Sequence, residues 1–191
     1  MNKDIYRIIG ASNHLEGERE VNDFYATQKD AIDALFNVES FSTNIWECAA
    51  GNGHLSSRLK EHHCNVYSSD LIQRDYPLDS ISDFLTLNKR PMDDIITNPP
   101  YNLAMEFVYK SLELVEDGAK VAMFLKLQFL ETQKRRKLFD LHPPKNIWVF
   151  SKRMGCLKGA KLDDEIKAGA MAFAWYIWVK GYKGPTTLGW I

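Results

Sequence analysis

Short apolar runs alternate with amphipathic stretches along this chain, and that alternation limits the fold more than any single residue does. The runs fall at 45–50, 93–97, 121–127, 146–150 and 172–179, with a more polar strand-like stretch at 65–70 that ends in an acid, and each has the length of a strand. Between them, 55–62, 103–116 and 131–141 space their apolar residues as helices do, with Met105, Val108, Leu112 and Val115 the clearest set. Asp117-Gly118 and Pro143-Pro144 stop two of these helices. An earlier helix starts after Thr27: Ala31, Ala34 and Leu35 follow at helical spacing, and Asp30 stands where a capping box would place Glu. Strand–helix alternation predicts an α/β domain with a mainly parallel sheet and helices on both faces. The 191 residues suit one such domain over 23–191, preceded by a polar N-terminal arm at 1–22.

One run ends abruptly. Asp94-Ile95-Ile96-Thr97 leads straight into Asn98-Pro99-Pro100-Tyr101. Two prolines in a row cannot continue a strand ladder, because each lacks a backbone N–H. They also hold the preceding residues extended. A carboxamide and an aromatic ring are thereby presented stiffly at the mouth of a strand. Such a pair suits an exocyclic aromatic amine, whose lone pair is delocalised and must be reoriented before it can attack. The Asn98 amide oxygen accepts one N–H without carrying a net charge, and the Pro99 carbonyl accepts the other. Tyr101 offers a face for a planar base.

A second turn follows the run at 45–50. Gly51-Asn52-Gly53-His54 opens a helix, and glycines there let the backbone approach a ligand closely. The third glycine of the dinucleotide fingerprint is replaced by Ser56. Asp70 ends the next strand 19 positions after Gly51, the offset of an acid that grips ribose hydroxyls. Asp83-Phe84-Leu85 reads most simply as a turn feeding an apolar segment, and Phe24-Tyr25 as either a hydrophobic staple or a ligand contact.

Net charge is −1, so nothing global draws the chain to nucleic acid. The segment 120–161 differs: it holds eleven lysines and arginines and two acids, a balance of +9. A basic surface on a neutral background is what phosphate contact needs, although 134–137 also reads as an ordinary solvated helix face. Lys152 and Arg153 leave a strand end on the presumed active side, where Phe150 either packs against a flipped base or belongs to the core. Cys48, Cys64 and Cys156 are scattered, which argues against a disulfide framework or a metal site and for a reduced, cytoplasmic compartment. No apolar run is long enough to span a membrane.

In combination these residues resemble the amino-methyltransferase branch of the S-adenosylmethionine-dependent methyltransferases, in particular the DNA adenine-N6 methyltransferases. Phe24-Tyr25-Ala26-Thr27 is similar to that family's first cofactor motif, and 47–53 to its glycine turn, with Cys48 where proline is common. Asn98 to Tyr101 matches its catalytic tetrapeptide. The resemblance implies a Rossmann-like methyltransferase fold with a seven-stranded sheet and S-adenosylmethionine as cofactor. It implies that Tyr25, Thr27, Glu47, Gly51 and Gly53 hold the methionine end, Asp70 the ribose, and Asp83 and Phe84 the adenine. Asn98, Pro99, Pro100 and Tyr101 would act on the acceptor, with Phe150, Lys152 and Arg153 contacting the substrate. The implied partner is nucleic acid, DNA first. RNA, cytosine N4 and protein glutamine are other acceptors of the same chemistry, and a non-catalytic methyltransferase-like binding subunit is the contrasting class.

Relatives with this motif order carry a separate target-recognition domain. Here 83–98 is too short to hold one and few residues follow Val179. Sequence-specific recognition then comes from loops, from a partner or a second copy of the chain, or is weak. The compact size resembles phage- or prophage-encoded enzymes of this kind.

Overall fold

The computed structural model describes residues 25–191 apart from Arg90 and Ala168. The expected arm at 1–22, and Phe24, lie outside the described residues. In chain order the strands are β1 (Tyr25–Thr27), β2 (Asn44–Glu47), β3 (Asn65–Asp70), β4 (Ser80–Ile81), β5 (Asp94–Thr97), β6 (Lys120–Lys126), β7 (Asn146–Val149), β8 (Cys156–Lys158), β9 (Phe173–Val179) and β10 (Thr187–Trp190). The α-helices are α1 (Lys29–Val38), α2 (His54–Glu61), α3 (Ala104–Leu114) and α4 (Gln133–Leu141).

The main sheet runs β10-β7-β9-β6-β5-β2-β3-β4. β9 lies antiparallel between β6 and β7, and every other pairing is parallel. The sheet thus has eight strands, not the expected seven. The two edge strands, β4 and β10, fall outside every apolar run, and β10 is mostly exposed. Its backbone supplies the pairing: Thr187 N–H donates to Lys145 O at 2.9 Å and Ile191 N–H to Val149 O at 2.9 Å. Gly189 allows the close approach, since a Cβ there would stand 2.2 Å from the Trp148 ring.

The strands are apolar at consecutive positions because both sheet faces are covered. Ile95, Val121, Met123, Leu125, Tyr176 and Trp178 turn to the face packed by α3 and by Leu138 of α4. Ile96, Ala122, Phe124, Trp175 and Ile177 turn to the opposite face, packed by α1 and α2. Adjacent residues go to opposite sides, as strand geometry requires. A buried Asp94 fixes the start of the central strands: its carboxylate accepts from Lys120 N at 2.7 Å and from Ser42 N at 2.7 Å.

β1 and β8 form a separate antiparallel ribbon, with Ala26 opposite Leu157 and Thr27 opposite Cys156. The expected Thr27–Asp30 capping box does not form. Thr27 belongs to β1, and α1 starts after Gln28 without a side-chain cap. Gln28 Oε1 instead accepts from Gly155 N at 2.8 Å, which ties the ribbon's second strand to the start of α1.

Candidate active site

β2, β3 and β5 are parallel neighbours, so their C-terminal ends lie side by side, the usual crevice of an open α/β sheet. β2 delivers Glu47 and the glycine turn, β3 delivers Asp70, and β5 delivers Asn98.

The turn is left-handed at Gly51 (φ 55°) and Gly53 (φ 77°), which favours glycine at both. At Gly53 the space is also taken: an added Cβ would lie 2.1 Å from the Tyr76 ring. Gly51 N–H donates to Asp70 Oδ2 at 2.8 Å, while Asp70 Oδ1 accepts from Ile72 N and pairs with Arg74, each at 3.1 Å. Asp70 therefore braces the turn from the neighbouring strand. Glu47 is buried (1% exposed), and its carboxylate accepts from Ser56 Oγ, which also bonds Ser68 Oγ at 2.7 Å. Burial pushes the Glu47 carboxyl well above the usual carboxylate range. The Ser56 hydrogen bond opposes that rise and the Asp70 charge adds to it.

Asn98 faces the ribbon. Its Nδ2 donates to Tyr25 O at 2.7 Å and to Thr27 Oγ1 at 3.0 Å. A backbone carbonyl can only accept, so the amide nitrogen must point there and the amide orientation is fixed. The Asn98 Oδ1 atom is buried and has no hydrogen-bond partner. Tyr101 follows in a short 3₁₀ turn (Tyr101–Leu103). Its hydroxyl shares a 3.1 Å hydrogen bond with the Cys156 thiol, and its ring centre stands 5.4 Å from that of Tyr25 and 4.8 Å from the Lys126 ammonium. Burial, with Cys156 beside it, pushes the Tyr101 hydroxyl well above its ordinary pKa.

A small cavity joins these parts, lined among others by Tyr25, Thr27, Glu47, Gly51, Asn52 and Asn98. Tyr25, Thr27, Glu47, Gly51 and Asn98 thus line one cavity. Asp83 and Phe84, expected at the adenine, do not line this cavity. Asp83 caps its own 3₁₀ turn, accepting from Leu85 N at 3.0 Å. Phe84 is buried against Trp46 and Phe107, at ring-centre distances of 5.1 and 4.8 Å. Phe150 is half-buried and packs its ring edge-on to Phe124, 5.9 Å away. Lys152 forms an exposed ion pair with Asp30 at 3.1 Å, and Arg153 is exposed.

Sequence reasoning missed Asn52, His54 and Cys156. Asn52 Nδ2 donates to Ala160 O at 2.9 Å, and His54 Nε2 bonds Lys161 O at 2.9 Å. His54 lies at the start of α2, where burial lowers its pKa. The position of Asn52 between two turn glycines was the available signal for one of them. Nothing local marks Cys156, because its partners lie far away in sequence.

No family model matches the sequence, and no curated protein matches it. Solved structures do. A provisionally designated RNA methyltransferase from Pyrococcus horikoshii aligns at 13% identity and TM-score 0.55, over 79% of this chain and 81% of the other. A provisionally designated class I S-adenosylmethionine-dependent methyltransferase from Listeria monocytogenes aligns at 11% identity and TM-score 0.55, over 85% and 62%. The modification subunit of a provisionally designated type I restriction enzyme from Vibrio vulnificus aligns at 13% identity and TM-score 0.54, over 96% of this chain and 48% of that one. At these identities the similarity is one of fold. The chain has the fold of the class I S-adenosylmethionine-dependent methyltransferases, and spans about half the length of the restriction-enzyme subunit.

Proposed function

We propose that this protein is an S-adenosylmethionine-dependent N-methyltransferase acting on a planar exocyclic amine, adenine N6 in DNA before other acceptors. The observation that carries the reading is the Asn98 amide. Its NH₂ is held by Tyr25 O and Thr27 Oγ1, and its oxygen is buried without a partner. A buried, unpaired acceptor is costly unless a ligand's donor completes it. An amine N–H is such a donor.

The cavity fits the methyl donor's cationic end. Its lining combines the Glu47 carboxyl with the Asn52 and Asn98 amides, and the glycine turn braced by Asp70 keeps side chains out of its wall. Glu47, Asn52 and the Gly51 and Gly53 backbone would hold the methionine end, with Tyr25 and Thr27 closing it. S-adenosylmethionine supplies a sulfonium methyl there, with a neutral thioether as leaving group. Asn98 Oδ1 and the Pro99 carbonyl each accept one N–H of the acceptor amine and so aim its lone pair. The amine proton leaves to water after transfer, so no strong base is needed. Positioning and preorganised dipoles supply the rate.

For the acceptor, an open groove beside Tyr101 is lined by Lys126, Gln128, Phe129, Glu131 and Arg135. Lys126 sits over the Tyr101 ring, and the Arg135 guanidinium is 4.7 Å from the Phe129 ring centre. Neither pairs with a carboxylate among the described residues. This arrangement supports a phosphate-bearing acceptor.

The test is transfer of label from S-adenosylmethionine to DNA, RNA and protein pools, read by mass spectrometry of the product. N6-methyladenine in DNA is expected. Asn98→Ala should lower transfer at least about a hundredfold, the scale set by loss of a preorganised transition-state contact, with cofactor affinity nearly unchanged. Full activity in that variant would sink the amine-activation argument.

A further inference from the structure

We infer that Thr27 and Cys156, a facing pair on the β1–β8 ribbon, are positioning residues for methyl transfer: one aims the Asn98 amide and the other fixes the Tyr101 ring. The inference rests on the transfer reading above. Thr27 and Cys156 stand directly opposite each other in the antiparallel register, and directly opposed side chains share one face. Tyr25 lies on that face too, because side chains alternate along a strand, and its ring centre is 5.4 Å from that of Tyr101. Ala26, between them, packs instead in a small cluster with Ala160 and Ile166. The ribbon therefore turns one wall to the tetrapeptide.

Each member of the pair holds one functional side chain. Thr27 is 2% exposed, and its Oγ1 accepts from Asn98 Nδ2 at 3.0 Å. Cys156 Sγ shares a 3.1 Å hydrogen bond with the Tyr101 hydroxyl and lies 3.7 Å from Asn98 Nδ2. An Asn98 amide turned over would show the acceptor amine a donor, so its orientation decides whether it can act. Thr27 Oγ1 and Tyr25 O, both on Nδ2, hold the productive orientation and leave the buried Oδ1 without a partner. A hydroxyl held at its far end stops the Tyr101 ring from swinging out of place. The ribbon is itself braced: Gly155 N–H donates to Gln28 Oε1, while Asn52 and His54 hold the carbonyls of Ala160 and Lys161. A braced frame is what positioning catalysis needs.

Steady-state transfer from S-adenosylmethionine to the pool that takes label, DNA, RNA or protein, tests the pair. Thr27→Val keeps the branched shape and removes the acceptor, and Cys156→Ala removes the thiol. Each should lower kcat about threefold to tenfold, the worth of one hydrogen bond, with KM for S-adenosylmethionine within about twofold of the parent. Thr27→Ser restores the hydroxyl and should bring kcat back to within about twofold. With Tyr101→Phe already in place, adding Cys156→Ala should cost less than about twofold, because its partner is gone. Three results would overturn the inference. Thr27→Val with unchanged kcat would show that Tyr25 O suffices. Thr27→Val with a raised KM and kcat kept would make Thr27 a cofactor contact only. Equal losses from Cys156→Ala with and without the Tyr101 hydroxyl would make Cys156 a packing residue. If Thr27→Val does not fold, the Cys156 and Tyr101 cycle decides. If the unaltered protein transfers no methyl group to any pool, the transfer reading itself fails and the inference falls with it.

Discussion

Glu47 shows how one buried group ties the site to pH. Burial raises its pKa, so the folded chain keeps a proton at pH values where the unfolded chain has lost it. The folded state then binds more protons, and stability falls as pH rises from the unfolded glutamate value of about 4.3 toward the folded one, levelling off above it. Glu47→Gln should remove that slope in the denaturant midpoint measured across this range. An unchanged profile would mean that Glu47 ionises normally. A cationic ligand beside Glu47 reverses the preference, so S-adenosylhomocysteine should bind more tightly as pH rises through the same window, and Glu47→Gln should flatten that dependence as well.

At the scale of elements, two backbone positions carry the local geometry. Gly53 is left-handed and lies under the Tyr76 ring, so Gly53→Ala combines a disfavoured φ with a clash. A loss of about 2 kcal/mol in unfolding free energy is expected; a midpoint equal to the parent's would show that the turn relaxes freely. Thr132 is the opposite case. It is exposed, β-branched and held at φ 90° before α4, with no side-chain cap bond. Thr132→Gly should therefore stabilise the chain by about 1 kcal/mol, read by the same melt. These elements were unequally legible. β3 matches the sequence expectation end to end; β6 and β9 do so nearly, because long apolar runs buried on both faces leave a plain signal. β8 has three residues and β10 is mostly exposed, and both exist only through pairing with distant segments. Thr27 looked like a cap because local spacing is all a sequence displays, whereas its partner, Asn98, lies 71 positions away. The tetrapeptide, the glycine turn and Asp70 were legible because proline and glycine mark backbone geometry directly. Asn52 and Cys156 work through tertiary contacts and left no comparable mark.

For the whole molecule, the sequence suggested a basic segment of charge +9, and the structure thins it. Lys120 is paired with Glu39, Arg136 with Asp140 and Lys152 with Asp30. Lys126 and Arg135 stand differently, in the groove beside Tyr101, each against an aromatic ring and neither paired with a carboxylate among the described residues. Phosphate contact depends on cations that release counterions, and a lysine already neutralised contributes little. The proposed nucleic-acid interface should then centre on the groove and not on the paired Lys120, Arg136 and Lys152. Each phosphate contact steepens the dependence of log affinity on log salt by about 0.9 for duplex DNA. Lys126→Ala and Arg135→Ala should each reduce the slope by about one and weaken binding across sequences. Arg136→Ala, which removes an exposed residue already paired along its own helix, should leave the slope within about 0.3 of the parent. Fluorescence anisotropy of a labelled duplex over a salt series measures all three. Equal slopes for all three variants would mean that the surface acts as a diffuse charge, and the groove would lose its claim to hold the acceptor.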